Sequence, residues 1–216
     1  MDITPLLERR ELRGVRLALI ARLAVLLFAL PVELTVGSGA APGPMRILVL
    51  GSFLGGFVAY GALLYVLLRT RKTGAVGFVA VAADLVLMAF MIFAWWMSNG
   101  GGEMPAAYML KTGLAGVMTI FIALNAIALR PLYPAVVAAG MVVIVLVLIM
   151  LALADPRTQW TYQVFEATSG EAVAIPLVAG DLTILLVVGV LVTFATLAAR
   201  RLMLDAIRFE KTTAQL

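Results

Sequence analysis

The chain has 216 residues, 63% of them hydrophobic and 13% charged, with a formal net charge of +4 and a mean hydropathy of +1.09. A bilayer core about 30 Å thick takes about 20 apolar residues per helix, so six spans with short loops consume this length and exclude a soluble domain of ordinary size among them. Cysteine and histidine are both absent, which excludes disulfides, bis-histidine haem, histidine-ligated metal sites and a Ser-His-Asp triad.

The segment 1–16 is charged, with Asp2, Glu8, Arg9, Arg10, Glu11, Arg13 and Arg16. It is long for the positive region of a signal peptide, and the apolar run behind it ends without a small-residue cleavage site. It is expected to be a retained cytoplasmic leader. A first span is predicted over Leu17–Val36 and a Gly, Ala and Pro-rich turn over Gly37–Pro44. A second span runs over Arg46–Leu68, followed by Arg69, Arg71 and Lys72. The third, Ala75–Met97, closes on Trp95 and Trp96, an interfacial pair. After a Gly-rich loop the fourth is predicted over Pro105–Leu129, beginning with an interfacial turn. Arg130-Pro-Leu-Tyr-Pro134 is a stiff connection into the fifth, Ala135–Ala154. The connection Asp155–Gly180 is long enough for local structure of its own, and the sixth span is predicted over Ala179–Ala199.

Lysine and arginine alternate between the connections. Arg9, Arg10, Arg13, Arg16, Arg69, Arg71, Lys72, Arg130, Arg200, Arg201, Arg208 and Lys211 fall on one side; Arg46, Lys111 and Arg157 fall on the other. Basic loops stay in the cytoplasm. The expected fold is therefore an all-α integral membrane protein of the cytoplasmic (inner) membrane with both termini inside. It divides into a leader over 1–16, a six-helix transmembrane bundle over 17–199 and a cytoplasmic connector helix over 200–216. The basic residues set topology and meet anionic headgroups; they do not form a nucleic-acid surface.

Arg22 and Asp84 are charges inside predicted spans. Arg22 lies about 8–12 Å from the inner end of its helix and Asp84 about 15 Å, at about 1.5 Å per residue. A mid-membrane charge costs about 2.5–3.5 kcal/mol on insertion scales, so pairing is expected. The pair is either a switch or ligand contact, or a static bridge that fixes packing. Glu33, Lys111, Asn125 and Asp181 either line an outward-facing polar pocket or serve singly as interface, cap, snorkelling and hydrogen-bonding groups. Gly51 and Gly55 form a GxxxG, with Ser52 and Gly56 a second small pair beside it. They suit a dimer seam or packing within one bundle. No nucleophile-base pair, phosphate loop or metal set is present, so catalytic, metal and cofactor sites are not expected.

The last helix carries Val188, Val192, Ala195, Ala199, Leu202, Ala206, Phe209, Thr213 and Leu216 at alternating spacings of four and three, a heptad a/d pattern running out of the membrane. Two copies would pair along Leu202, Ala206 and Phe209, or the helix would rest on the headgroups as an amphipathic stub.

Ala198-Ala-Arg-Arg-Leu202 and Arg208-Phe-Glu-Lys-Thr-Thr-Ala-Gln-Leu216, with the leader Glu8-Arg-Arg-Glu-Leu-Arg13, resemble the membrane domain of bacterial class III adenylate/guanylate cyclases of the six-helix type. In that family a basic connector helix precedes a cytoplasmic catalytic domain that works as a dimer. The resemblance implies a homodimeric membrane anchor and receptor, with a lipophilic ligand or the bilayer itself as stimulus. The metal-binding aspartates, purine-selecting residues and transition-state arginine of such a cyclase would follow Leu216. A small transporter or channel subunit, and an input module for another output such as a kinase, are the alternatives.

Overall fold

The computed structural model describes residues 4–32, 34, 43–111, 114–169 and 172–213. Its long elements are helices α1 (Thr4–Val32), α2 (Gly43–Thr70), α3 (Thr73–Ser98), α4 (Leu114–Ala126) and α5 (Leu132–Ala154). A short α6 (Val164–Ser169) precedes the 39-residue α7 (Ile175–Thr213). Five of these helices are long and apolar enough to cross a membrane: α1, α2, α3, α5 and α7.

Each inner helix face follows from spacing. In α3 the buried residues Val76, Ala80, Asp84, Met88 and Ile92 recur every four positions, which places them on one stripe. Asp84 sits at its centre. In α1 the buried residues Glu11, Val15, Ala18, Arg22 and Leu26 form a similar stripe. Thus both mid-span charges occupy positions that the helical period turns inward. The opposite faces carry Phe28, Leu54, Val86, Leu153 and Leu191, all well exposed. Such a girdle is costly in water and suits contact with lipid chains.

α3 is the central helix, touching α1, α2, α4 and α5, while α7 packs on α4 and α5. The turn from α2 to α3 takes two residues. Arg71 adopts φ 57°, and its N–H donates to the Leu67 carbonyl at 2.9 Å, the left-handed helix ending usually given to glycine. At the far end of α3, Gly100 and Gly101 have φ 122° and 51°, conformations that a side chain disfavours.

The fourth predicted span is not one α-helix. Ala106–Lys111 is a 3-10 segment, and α4 is described over Leu114–Ala126. With 13 residues α4 is about 20 Å long, too short by itself for the hydrocarbon core. α1 is continuous from Thr4 into the apolar run, so most of the expected leader is helical. In the long connection, Trp160–Thr161 and Val173–Ala174 pair as two-residue parallel strands on either side of α6.

Close approaches rest on small residues. A β-carbon on Gly14 would lie 2.7 Å from the Ile127 carbonyl oxygen and 3.2 Å from the Ala128 Cα, both backbone atoms that cannot swing aside. Gly14→Val is expected to cost about 1–3 kcal/mol by overpacking, read as a lower midpoint in reversible unfolding. An unchanged midpoint would contradict this contact between α1 and the α4–α5 turn.

Candidate functional site

The buried stripes of four helices bring four polar side chains to one point. The Arg22 guanidinium grips Asp84 with two parallel bonds, Nε to Oδ1 at 2.7 Å and Nη2 to Oδ2 at 2.7 Å. Tyr60 donates its hydroxyl to Oδ1 at 2.7 Å, and Asn125 donates Nδ2 to Oδ2 at 2.7 Å. Asn125 also donates to the Phe121 carbonyl, and Arg22 Nη1 to the Ala18 carbonyl. The Arg22 guanidinium lies 5.8 Å from the centre of the Tyr60 ring, within cation–π range. Asp84 and Tyr60 are 0% exposed and Arg22 2%.

Chemically this is a saturated carboxylate. An ionised Asp has about four acceptor positions, and here four donors fill them. The planar fork of arginine matches two, which a lysine would not do. The network joins α1, α2, α3 and α4 through the central helix.

Tyr60 gives this network a second neighbour. It forms part of the wall of an apolar crevice of about 260 Å³ between α2 and α3, with Gly51, Gly55, Ala83, Val86 and Phe90. The two small-residue pairs divide their roles. Ser52 and Gly56 turn inward, Gly56 against Leu26 and Leu87, whereas a side chain on Gly51 or Gly55 would meet nothing within 4 Å.

A second cluster lies at the end of the bundle that carries the basic connections. The Glu11 carboxylate, 7% exposed, bonds Arg130 through Oε2 and Arg200 Nη2 through Oε1 at 3.3 Å. Glu11 therefore ties the start of α1 to the α4–α5 turn and to α7. Arg130 lies 5.9 Å from the Tyr133 ring centre, and the Tyr133 hydroxyl donates to the Gly74 carbonyl at 3.2 Å.

At the other end Asp155 and Arg157 join the connection that follows α5 to the one between α3 and α4. Arg157 grips Asp155 through Nε and Nη2 and donates Nη1 to the Gly102 carbonyl at 2.7 Å, while Asp155 accepts from the Ala106 N–H at 2.9 Å. Arg157, with the backbone donors, holds the Asp155 carboxyl well below the usual carboxylate range.

The residues singled out by sequence separate as follows. Arg22, Asp84 and Asn125 converge. Lys111 instead donates to the Ala167 carbonyl at 3.0 Å and lies over the Tyr108 ring. Asn125 turns into the network rather than toward Lys111, so these two do not share an outward-facing pocket. Asp181 is half-buried in α7. Glu33 lies outside the described residues. Leu202, Ala206 and Phe209 are exposed on α7, Leu202 by 71%. Sequence reasoning missed Tyr60 and Glu11. Tyr60 had a signal, since a tyrosine belongs at an interface and this one falls in mid-span. Glu11 had one too, because it lies on the same stripe as Arg22. Among the described residues no group of three or more acidic side chains is placed to hold a metal. Comparison with protein-family models, curated proteins and solved structures finds no match to the chain.

Proposed function

We propose that this chain is the membrane anchor and signal-input domain of a homodimeric adenylate/guanylate cyclase in the bacterial inner membrane. Both its termini are cytoplasmic, and its last helix carries the signal. One observation carries the reading: α7 runs unbroken from Ile175 to Thr213, about 58 Å, and is held to Glu11 at Arg200. A span needs only about 30 Å of that length. The remainder is a rigid lever whose position at the exit is set by a clasp to the rest of the bundle.

The other elements fit this use. The 3-10 segment and α4 together reach about 30 Å, which allows a sixth crossing. The start of α1, the α2–α3 turn, the α4–α5 turn and Arg200 then share the arginine-rich side, where positive charge is retained. The crevice beside Tyr60 offers a lipophilic ligand contact with the Arg22–Asp84 network. The open face of Gly51 and Gly55 suits either that ligand or a second copy.

A transport role would use the same buried residues. It would have to open a carboxylate that already holds four donors, and it leaves the long α7 without a purpose. An output other than a cyclase, such as a kinase, would use α7 in the same manner.

The test is Phe209→Pro, which removes a backbone donor and breaks the exit helix at the seam. In lipid nanodiscs the unaltered chain is expected to be a dimer by native mass and the variant a monomer. With α7 joined in frame to a class III catalytic domain, the variant is expected to lose most of the cyclic-nucleotide synthesis. Unchanged mass and synthesis would reject this role for α7.

A further inference from the structure

The basic end of the bundle holds a cavity of about 430 Å³ between the start of α1, the α2–α3 turn and the α4–α5 turn. Its cations are Arg9, Arg71, Lys72 and Arg130; Glu8 and Glu11 are its anions. These charges do not cancel locally. Glu11 is already shared between Arg130 and Arg200. Among the described residues Arg9, Arg71 and Lys72 make no ion pair, and Glu8 alone stands against them.

Two backbone features keep the cations at the cavity. Arg71 is held at φ 57°, a conformation that costs a residue with a side chain about 1–2 kcal/mol. Strain of this kind gathers at functional sites. Gly74 leaves room for Arg130: a β-carbon there would lie 3.1 Å from Arg130 Nη1. The clasp of Glu11 then fixes that guanidinium from its other side.

We propose that this cavity binds a phosphate-bearing anion, with Arg71 and Lys72 contributing most of the attraction. A phosphoryl group supplies the charge that the cavity lacks and acceptors for the arginine fork. The chemistry is shared by the headgroup of an anionic phospholipid and by free phosphate. Basic pockets between membrane helices on the cytoplasmic side suit such headgroups. Occupancy would brace the α2–α3 turn against the clasp that holds α7, whichever output α7 serves.

The test uses the full chain in phosphatidylcholine nanodiscs, with the thermal midpoint as readout. One arm replaces a tenth of the lipid by phosphatidylglycerol. The other adds inorganic phosphate against sodium chloride of equal ionic strength. The midpoint is expected to rise by several degrees in at least one arm. A rise with lipid alone assigns a headgroup, and a rise in both arms shows that free phosphate suffices. Arg71→Asn with Lys72→Gln, asparagine being tolerant of positive φ, is expected to abolish most of the rise. Arg10→Gln with Arg13→Gln removes equal charge outside the cavity lining and is expected to keep it. No rise in either arm, or equal loss in both double variants, would overturn the proposal.

Discussion

Arg22→Gln is expected to destabilise the bundle by about 3–5 kcal/mol. Removing one member of a buried ion pair leaves the other charged and without compensation, which is the costly case. Asp84 would keep Tyr60 and Asn125 as donors, but these are neutral and do not offset a carboxylate at membrane depth. Adding Asp84→Asn to Arg22→Gln is expected to recover most of the loss, because a neutral amide retains hydrogen-bonding partners and carries no charge. Tyr60→Phe deletes a single neutral donor and is expected to cost about 1 kcal/mol, in line with hydrogen bonds between membrane helices. A double-mutant cycle by reversible unfolding in mixed micelles separates these values. If Arg22→Gln cost no more than Tyr60→Phe, the pair would not be what holds α1 to α3.

The second large effect belongs to Glu11. Glu11→Gln leaves the Arg130 and Arg200 guanidinium groups facing a neutral amide. Hydrogen bonds to charged groups contribute about 1.5–3 kcal/mol. Both arginine side chains are nearly one third exposed, 28% and 32%, so solvent screening favours the lower end of that range. The loss should be local. Backbone hydrogen exchange over 200–207 in α7 is expected to quicken about tenfold, which corresponds to about 1.4 kcal/mol, while the centre of α3 keeps its protection. Ile207, buried at 2% exposure, is expected to respond within that segment. Equal acceleration in α3 and α7 would mean that Glu11 supports the whole bundle rather than the exit of one helix.

The long helices were legible because hydropathy and the helical period act over many residues. The same period turned Arg22 and Asp84 inward, and their similar depths made a contact expected. Of the division of the fourth segment, only an interfacial turn at its start was expected; its extent was hidden. A 3-10 segment and an α-helix of similar apolar composition have the same mean hydropathy, and the difference lies in packing of Ala107 and Met109 against the bundle. Asn125 was visible as a polar residue in an apolar helix and Tyr60 was overlooked, and only the packing of α2 and α4 around α3 shows that both end on one carboxylate. Glu11 was obscured by its neighbours. Within Glu8-Arg-Arg-Glu-Leu-Arg13 composition does not distinguish the buried Glu11 from the exposed charges around it, and only its place on the stripe of Arg22 does. For Lys111 the sequence left a shared pocket and a single hydrogen-bonding role both open: its carbonyl partner, Ala167, is a backbone group 56 positions away, and no residue type announces it.

The most direct test of α7 as a dimeric lever is cysteine cross-linking, since the chain contains no cysteine of its own. Single variants Leu202→Cys, Ala206→Cys and Arg201→Cys would be oxidised in native membranes and scored for disulfide-linked dimer. A heptad seam places 202 and 206 against their counterparts, while 201 is turned about 100° away from 202. The account predicts strong cross-linking for Leu202→Cys and Ala206→Cys and little for Arg201→Cys. Absence of cross-links at 202 and 206, or equal yields at all three positions, would contradict it.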